Sequence, residues 1–186
     1  TEIVRDDLTG QVLDSKLVRE GRLNEIKGLK DMGVWEVVPE DECWKKTGKK
    51  PISARWVDIN KGDDKSPNYS SRYVAREIKS QHGGALRDGL CATMPPLEAL
   101  RVLVSLTVNK NSAVSRAPCK MLFIDISKAY LHADVEDPHV YVELPKEINE
   151  DEGLPRVCGR LRKALYGTRI AANCWEKEYT KTFLEM

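Results

Sequence analysis

Apolar residues near the N-terminus recur at the spacing of a helix: they are Leu13, Leu17, Ile26 and Leu29. Residues at multiples of this spacing share one helix face, so the pattern predicts a helix from about Asp14 to Asp31. Gly21 interrupts the pattern. Gly33 follows it and suits a helix C-cap, because glycine tolerates the left-handed conformation that ends many helices.

Shorter apolar or alternating runs predict five strands, at residues 34–38, 55–60, 69–78, 120–125 and 140–144. Residues 61–68 separate the second and third runs and are dense in turn formers, so residues 55–78 are predicted to form a β-hairpin. Met121 to Ile124 is wholly apolar, and so short a run is more typical of a buried strand than of a helix. Asp125 follows it directly.

Two further segments have helical patterns. Behind the pair Pro95-Pro96, which is tolerated in a first helical turn, one apolar face is formed by Leu97, Leu100, Leu103, Val104 and Thr107. Residues 170–186 carry an aromatic residue at every fourth position, which predicts a packing stripe: Trp175, Tyr179 and Phe183. The other segments are predicted to be a charged loop at 41–50, a loop at 81–93, a linker at 109–118 and an exposed acidic segment at 147–155.

The chain of 186 residues is long enough for one domain or two small subdomains. Its content of 41% hydrophobic and 32% charged residues is ordinary for a soluble globular protein. With 30 basic and 29 acidic residues the net charge is only +1, so any nucleic-acid binding must rely on local patches. One candidate is a lysine run that is either a solvated face or a phosphate-contacting surface: Lys45, Lys46, Lys49 and Lys50.

Five cysteines, Cys43, Cys91, Cys119, Cys158 and Cys174, are odd in number and contain no Cys-x-x-Cys pair. This pattern indicates neither a disulfide framework nor a zinc site, and the histidines are too scattered to complete one. We therefore expect reduced thiols in an intracellular protein. The N-terminus has no signal-peptide character and no segment is long and apolar enough to span a bilayer, so no membrane partner is expected.

Asp125 is the first candidate for chemistry, because it lies where the predicted central strand ends. At such a position a rigid scaffold can hold a carboxylate against a metal ion or a reacting group. The same residue could instead cap the turn at 126–130, since Asp accepts hydrogen bonds from backbone N–H groups two or three residues on. Spacing alone favours the cap.

The segment from Met121 to Asp134 resembles the first catalytic segment of reverse transcriptases, in which an aspartate is followed five residues later by an aromatic residue, here Tyr130. The copia type of LTR-retrotransposon polymerase is the most similar. Flanking segments resemble that family in the same order: residues 52–57 with Lys61, 72–75, 141–145, 157–167 and Trp175. The resemblance extends from about Leu17 to Trp175, which makes chance a poor explanation although each motif is weak alone.

The resemblance implies an α+β fold, namely the fingers and partial palm of a right-hand polymerase (reverse transcriptase), truncated before the second catalytic motif. It divides the chain into an N-terminal helical leader at 1–32, a fingers-like part at 33–92, the first part of the palm at 93–132, a fingers return at 133–165 and a truncated palm helix at 166–186. Such a truncated chain would expose surface that the palm and thumb normally cover, so poor solubility is expected.

By the same resemblance the activity is RNA-directed DNA polymerisation, in which two divalent metal ions assist the transfer of dNTPs to a primer. Asp125 would be the catalytic metal ligand, and Mg2+ or Mn2+ the cofactor of the complete enzyme. The family takes its other carboxylates from a Tyr-x-Asp-Asp hairpin further along. This sequence contains no Asp-Asp pair after Asp64, so it is not expected to form the metal site alone.

The resemblance also implies the nucleotide contacts. The family's aromatic residue packs under the incoming sugar and excludes a 2′-hydroxyl, so Tyr130, with Ala129 beside it, is the predicted sugar gate; a core aromatic under the strand is the alternative. Arg72 and Lys61 flank the hairpin and are predicted to contact the triphosphate, for which a guanidinium fork is well suited. A slip in the alignment leaves Arg76 as an alternative to Arg72, and a solvated strand residue as the alternative to either.

Tyr166, Gly167 and Arg169 resemble a family motif near the template and the nucleotide base, and they are the predicted template and primer contacts. After them the chain reads Ile-Ala-Ala-Asn where the family has Gln-Ala-Pro-Arg. A local basic patch is predicted to meet nucleic-acid phosphates: Arg160, Arg162, Lys163 and Arg169. The implied partners are an RNA template, a DNA primer, a dNTP and the rest of a Pol polyprotein, in cytoplasmic virus-like particles or in the nucleus.

A function of a different class is also open. The chain could be a non-catalytic fragment, either a decayed copy of a retroelement or a module retained for nucleic-acid or protein binding. The missing Tyr-x-Asp-Asp motif and the altered residues after Arg169 favour this alternative, whereas the retention of Asp125, Ala129 and Tyr130 favours a polymerase.

Overall fold

The computed structural model describes residues 3–63, 65–77, 96–108, 121–148 and 156–185. They form the helices α1 (Ser15–Asp31), α2 (Glu40–Thr47), α3 (Leu97–Val108) and α4 (Ala171–Leu184) and the strands β1 (Trp35–Pro39), β2 (Ala54–Asn60), β3 (Tyr69–Ala75), β4 (Tyr141–Glu143) and β5 (Val157–Leu161). This mixture of helix and sheet agrees with the predicted α+β class. The following predictions lie outside the described residues: the loop at 81–93, the linker at 109–118, residues 149–155 of the acidic segment and Ile78 at the end of the third strand.

A three-stranded antiparallel sheet in the order β1-β5-β4 forms the centre of the fold. Its central strand, β5, is missing from the sequence prediction because a glycine and an arginine disturb its short apolar pattern. Gly159 pairs with Val37 on one side and Val142 on the other. A Cβ added at Gly159 would lie 3.2 Å from the Trp35 side chain and 2.9 Å from that of Leu144, so glycine leaves room for these large side chains.

β2 and β3 form the predicted β-hairpin, with Val57 opposite Arg72. Asn60 stabilises the turn, because its side-chain oxygen accepts hydrogen bonds from the backbone N–H groups of Gly62 and Asn68, at 3.0 and 2.8 Å. Asparagine commonly plays this part in turns. The hairpin prediction is therefore confirmed over the described residues.

The predicted N-terminal helix is confirmed as α1. Asp14 caps it, since one carboxylate oxygen accepts hydrogen bonds from the backbone N–H groups of Lys16 and Leu17. Gly21 does not break the helix. A Cβ added at Gly21 would lie 3.0 Å from the hydroxyl oxygen of Ser71, so glycine lets α1 lie close against β3.

The hydrophobic core lies between α1, the three-stranded sheet and the hairpin. Its fully buried members include Leu29, Val34, Leu131, Val142 and Leu165. Beside the core, the buried carboxylate of Asp58 accepts hydrogen bonds from the Arg22 guanidinium at 2.6 Å and from the Ser71 hydroxyl at 2.7 Å. A buried charge must be paired in this way to be tolerated. The network joins α1 to both strands of the hairpin.

Residues 3–14 form an arm that lies along β2. The Asp6 carboxylate accepts a hydrogen bond from the backbone N–H of Asn60 at 2.7 Å, and that of Asp7 accepts one from the backbone N–H of Asp58 at 2.9 Å. The bond from Asn60 and two further backbone bonds from its own turn hold the pKa of the Asp6 carboxyl below its usual range. The arm is thus attached to the hairpin through two carboxylates.

The prediction of a loop at 41–50 is wrong, because α2 covers most of this segment. Acidic residues in its first turn and lysines in its last turn complement the helix dipole. Gly48, with a φ of 65°, ends the helix in the left-handed conformation. The helix has little apolar signal in the sequence, since Cys43 is its one buried residue.

The prediction of a buried strand at 120–125 is also wrong. Residues 121–126 form no strand, and Leu122, Phe123 and Ile124 are 80%, 79% and 62% exposed. A strand needs a neighbour that pairs with its backbone groups, and none of the described strands lies beside this segment. α3 confirms the helix predicted after the proline pair, but it likewise exposes its apolar side chains.

α4 confirms the predicted helical spacing of the aromatic residues, of which Trp175 packs against a buried cluster whereas Phe183 is 60% exposed. The ring centroids of Trp175 and Tyr179 are 5.9 Å apart, and those of Tyr179 and Phe183 are 6.4 Å apart. At the start of the helix, Ala171 packs in a small cluster with Ala133. Among the described residues, no helix combines the length and the apolar character needed to cross a lipid bilayer.

Two thiols, Cys43 and Cys158, are buried together between α2 and the sheet. Burial raises the pKa of both thiols, and that of Cys158 reaches about 12. Cys174 is half-buried, and none of these three described cysteines forms a disulfide. Cys91 and Cys119 lie outside the described residues.

Candidate functional site

A cleft of about 460 Å³ opens between α1, the hairpin and the segment from Asp125 to Tyr130. Predicted site residues from distant parts of the chain line this cleft: Lys61, Arg72, Asp125, Ala129, Tyr130 and Tyr166. Lys61 begins the hairpin turn and Arg72 lies in β3. The fold therefore brings the predicted metal ligand and the predicted nucleotide contacts to one place.

The turn that follows Asp125 is anchored by Leu131, which is fully buried in the core. Lys128 adopts a left-handed conformation, with a φ of 55° and a ψ of 39°, and a 3₁₀ helix follows at Ala129–His132. The Asp125 carboxylate is exposed. It accepts no hydrogen bond from the described turn residues, so within them it does not act as an N-cap.

Tyr130 and Tyr166 form an aromatic wall of the cleft. Their ring centroids are 5.6 Å apart, and the Arg72 guanidinium carbon lies 5.7 Å from the centroid of Tyr166. Such a cation over an aromatic face is attractive. Burial raises the pKa of the Tyr166 hydroxyl, with the Arg72 charge acting in the opposite direction. Tyr130 is half-buried: it lines the cleft and also packs against the small alanine cluster at Ala133 and Ala164.

The structure distinguishes the two arginines that were alternatives for one role. Arg72 lines the cleft. Arg76 lies after β3 and is not among the cleft residues, and its backbone N–H donates to the carbonyl of Ser53 at 2.7 Å. Arg72 is therefore the one of the two that lines the cleft, and its contact with a triphosphate stays a prediction.

Gly167 and Arg169 lie beside the cleft and do not line it. Gly167 has a φ of +80°, and a Cβ added there would lie 2.0 Å from the carbonyl oxygen of Ala75. The backbone N–H of Ala75 donates to the carbonyl of Tyr166 at 2.8 Å, and the backbone N–H of Arg169 donates to a Glu77 carboxylate oxygen at 2.8 Å. This loop is therefore fixed to the end of β3, which holds Tyr166 in the cleft wall.

Sequence reasoning missed one pair of cleft residues, Glu25 and Lys128. The Lys128 ammonium lies 2.7 Å from a Glu25 carboxylate oxygen. Glu25 is only 7% exposed, although it belongs to a helix that was expected to be a leader outside the site. Glu25 is buried on α1 beside Ile26, and the sequence around it contains no signal for this role.

The described residues do not form a complete metal site. Asp125 and Glu25 are the carboxylates that line the cleft, and Glu25 is neutralised by Lys128. No group of three or more histidine, cysteine, aspartate or glutamate side chains in the described ranges could hold a metal ion. Asp125 can therefore offer one ligand to a divalent cation, and further ligands would have to come from elsewhere.

The predicted basic patch at 160–169 is largely neutralised. Arg160 bonds to Glu36 at 2.8 Å and to Glu42 at 3.0 Å. Arg162 also pairs with Glu36, and Lys163 pairs with an aspartate at 2.7 Å. Each of these three cations has an ion-pair partner within the protein, and their contact with nucleic-acid phosphates stays a prediction.

The lysine run at 45–50 differs from this basic patch in its surroundings. Lys46, Lys49 and Lys50 line a second cleft, of about 350 Å³, together with His139. Within the described ranges no ion pair engages these lysines. Both original interpretations, a solvated face and a phosphate-contacting surface, remain compatible with this geometry.

Comparison with known proteins identifies relatives over most of the chain. The chain is 26% identical over 160 residues to the Transposon Ty1-DR5 Gag-Pol polyprotein of Saccharomyces cerevisiae, an alignment that covers 86% of this chain and 8% of the relative. The Truncated transposon Ty1-A Gag-Pol polyprotein of the same yeast is also 26% identical, with 86% of this chain and 12% of the relative covered. The chain thus spans about a tenth of the length of these relatives. No solved structure matches it.

A family model gives the assignment. Residues 33–186 match the model described as reverse transcriptase (RNA-dependent DNA polymerase). This match covers most of the chain, in agreement with the resemblance around Asp125 and with the Ty1 relatives. The chain therefore belongs to the reverse transcriptase family and is a reverse transcriptase region of the copia type of retrotransposon.

Proposed function

We propose that this chain is the part of an RNA-directed DNA polymerase that binds the incoming dNTP. The observation that carries the proposal is the cleft itself, in which Asp125, Tyr130 and Arg72 meet although β3 and the 125–130 turn are far apart in sequence. Specific sites commonly combine a concave surface with a few convergent polar groups. The division of the chain into a leader, fingers and palm parts, given above by residue ranges, is also part of this proposal.

Each cleft residue has a role that its chemistry supports. The cations of Arg72 and Lys61 face the triphosphate, and a guanidinium can donate two parallel hydrogen bonds to phosphate oxygens. Tyr130 and Ala129 lie under the sugar, where the ring leaves no room for a 2′-hydroxyl. Tyr166 supports both, since it contacts Tyr130 on one side and Arg72 on the other.

Asp125 contributes one carboxylate toward a divalent cation, Mg2+ or Mn2+, whose charge would stabilise the triphosphate during nucleotidyl transfer. The described residues do not complete that site. No Tyr-x-Asp-Asp tetrapeptide occurs in the 186 residues. The proposal therefore assigns the remaining ligands to other parts of a Pol polyprotein.

The proposed partners are an RNA template and a DNA primer. Gly167 and Arg169 lie next to Tyr166 at the rim of the cleft, a position that supports contact with the templating base. The lysines of the second cleft form no ion pair within the described residues and offer charge for backbone phosphates, although Glu77 and Asp137 line the same cleft. We expect an intracellular protein, acting in virus-like particles or in the nucleus.

Primer extension on an RNA template, with Mg2+ or Mn2+, tests the proposal. The protein assayed is the product of the whole reading frame that encodes the chain. Asp125→Asn keeps the side-chain shape and removes the charge, so extension should fall at least about a hundredfold, as is usual when a catalytic group is lost. Asp31→Asn, at an exposed position outside the cleft, is the matched control. Template binding without extension in any variant would favour the alternative, a non-catalytic fragment.

Tyr130→Val tests the sugar gate separately. Removing the ring opens space for a 2′-hydroxyl, so incorporation of ribonucleotides relative to deoxyribonucleotides should rise about tenfold or more, the scale expected when one steric exclusion is lost. Tyr179→Val removes an aromatic ring from α4, away from the cleft, and should leave the ratio unchanged. An unchanged ratio in Tyr130→Val would contradict this role.

A further inference from the structure

The turn beside Asp125 is connected to α1 by a charge pair whose carboxylate is buried and whose ammonium is partly exposed. The Glu25 side chain is 8% exposed, and its carboxylate lies 2.7 Å from the Lys128 ammonium. The two residues are 103 positions apart. A carboxylate this deeply buried is costly unless it is paired, so the fold favours the arrangement in which Lys128 reaches it.

One face of α1 is shaped for this contact. Gly21, Glu25 and Gly28 follow each other at helical spacing and share that face. A Cβ at Gly21 would lie 3.0 Å from the Ser71 hydroxyl oxygen, and one at Gly28 would lie 2.8 Å from the Lys128 ammonium nitrogen. The first glycine lets the helix approach β3, and the second leaves space for the lysine to cross the helix surface.

The backbone conformation of Lys128 links the Glu25–Lys128 pair to the positions of the cleft residues beside it. Its φ of 55° is unusual for a residue other than glycine, and such conformations persist where the surroundings hold them. Lys128 lies three residues after Asp125 and two before Tyr130. The preceding residues 121–126 belong to no strand. The described contacts of the turn are the Lys128–Glu25 pair, the buried Leu131 and the packing of Tyr130 and Ala133 against residues 164–171. Of these, the Lys128 pair lies nearest to Asp125 along the chain.

We propose that Glu25 is a positioning residue of the nucleotide cleft: it holds Lys128 and thereby sets the places of Asp125 and Tyr130. Its effect on nucleotides rests on the proposed function, whereas its effect on the turn does not. Glu25 lies outside the residues that the family model matches, which begin at residue 33. The inference therefore gives α1 a part in the site.

Hydrogen–deuterium exchange of the backbone amides at 127–133 measures the turn without any nucleotide. Glu25→Gln keeps the side-chain shape but removes the charge, so exchange there should quicken by about tenfold, the effect of weakening one charge-assisted bond. Glu20→Gln, an exposed position on the same helix, should leave exchange unchanged. The double variant Glu25→Lys with Lys128→Glu restores a charge pair, so its amides at 127–133 should exchange more slowly than those of Glu25→Gln.

Steady-state primer extension then separates positioning from general destabilisation. Glu25→Gln should raise KM for the dNTP about tenfold, lower the preference for deoxyribonucleotides and, because Asp125 moves with the turn, also lower kcat. Leu29→Ala removes a core side chain from the same helix, so it should reduce the folded fraction without changing KM.

The outcomes distinguish the two proposals. Equal exchange in Glu25→Gln and Glu20→Gln would overturn the inference, as would an active enzyme whose KM and sugar preference are untouched by Glu25→Gln. A parent protein that neither binds nor extends a primer would defeat the proposed function, and the exchange measurement would still decide whether Glu25 positions the turn.

Discussion

Two regions of the molecule carry similarly apolar residues but differ in burial. One is the body formed by α1, the sheet and the hairpin, and the other is the segment at 121–126. Leu29 and Val34 in the body are fully buried, whereas Leu122 and Phe123 are 80% and 79% exposed. The body residues meet side chains from several segments, and 121–126 meets no strand in the described part of the chain. Hydrophobicity indicates which residues gain from burial, and neighbouring segments decide whether they are buried.

The largest expected effect comes from removing a core side chain. Leu29→Ala should lower the free energy of unfolding by about 2–5 kcal/mol, because it loses buried surface and leaves a cavity. Leu122→Ala, the same change in the exposed segment, should alter it by less than about 0.5 kcal/mol. Urea denaturation of both variants checks the comparison, and equal losses would show that 121–126 is buried in solution.

The loop that holds Tyr166 against the body should be nearly as sensitive. Gly167→Ala places a Cβ at a φ of +80° and 2.0 Å from the Ala75 carbonyl oxygen, so we expect a loss of about 2–4 kcal/mol from backbone strain and overpacking. Gly10→Ala has a φ of +74° with open space around it and should cost about 1–2 kcal/mol. Thermal unfolding of the two variants separates the close contact from the conformational cost.

The N-terminal arm should respond to acid. The pKa of the Asp6 carboxyl is lowered in the folded protein by backbone hydrogen bonds, first that of Asn60, from a usual value of 3.8. A carboxyl of this kind stabilises the fold above its unfolded pKa, and the contribution is lost as the pH falls through the lower, folded value. Unfolding below about pH 4 should therefore be easier, and Asp6→Asn should weaken this pH dependence while Asp31→Asn should not. Denaturation series at several pH values measure the difference.

The smallest effect on stability is expected in the exposed segment. Leu122→Ser with Phe123→Ser should change the free energy of unfolding by less than about 0.5 kcal/mol per site. It should nevertheless reduce self-association, since contiguous exposed apolar residues promote it. Sedimentation velocity measures this, with Leu8→Ser, an isolated exposed leucine, as the control. Loss of folding in the double variant would contradict the exposed arrangement.

Sequence patterns predicted those elements whose signal is local. α1 and the β2–β3 hairpin follow from spacing and turn residues. β5 was missed because its centre is Gly159, which is required by the neighbouring Trp35 and Leu144 rather than by its own strand. α2 was missed because its stabilising features are charges at its two ends and a single buried cysteine. The strand at 120–125 was wrong since an apolar run specifies no partner.

The residues of the candidate site also fall into those that the sequence could indicate and those that it could not. Resemblance to a family located Asp125, Tyr130 and Arg72, and the fold places them in one cleft. Their roles remain predictions. Glu25 could not be found from the sequence, because its partner lies 103 positions away and nothing near it in the chain indicates that partner.

The two buried thiols between α2 and the sheet can report when α2 separates from the sheet. Because the pKa of Cys158 is about 12 and that of Cys43 is also raised, almost no thiolate is present near neutral pH to attack an alkylating reagent. Both thiols become reactive only when α2 separates from β5. The rate at which mass spectrometry detects alkylated Cys43 and Cys158 therefore measures that local separation. The half-buried Cys174, whose thiol pKa is also raised by burial, gives the rate for a thiol outside the contact between α2 and β5.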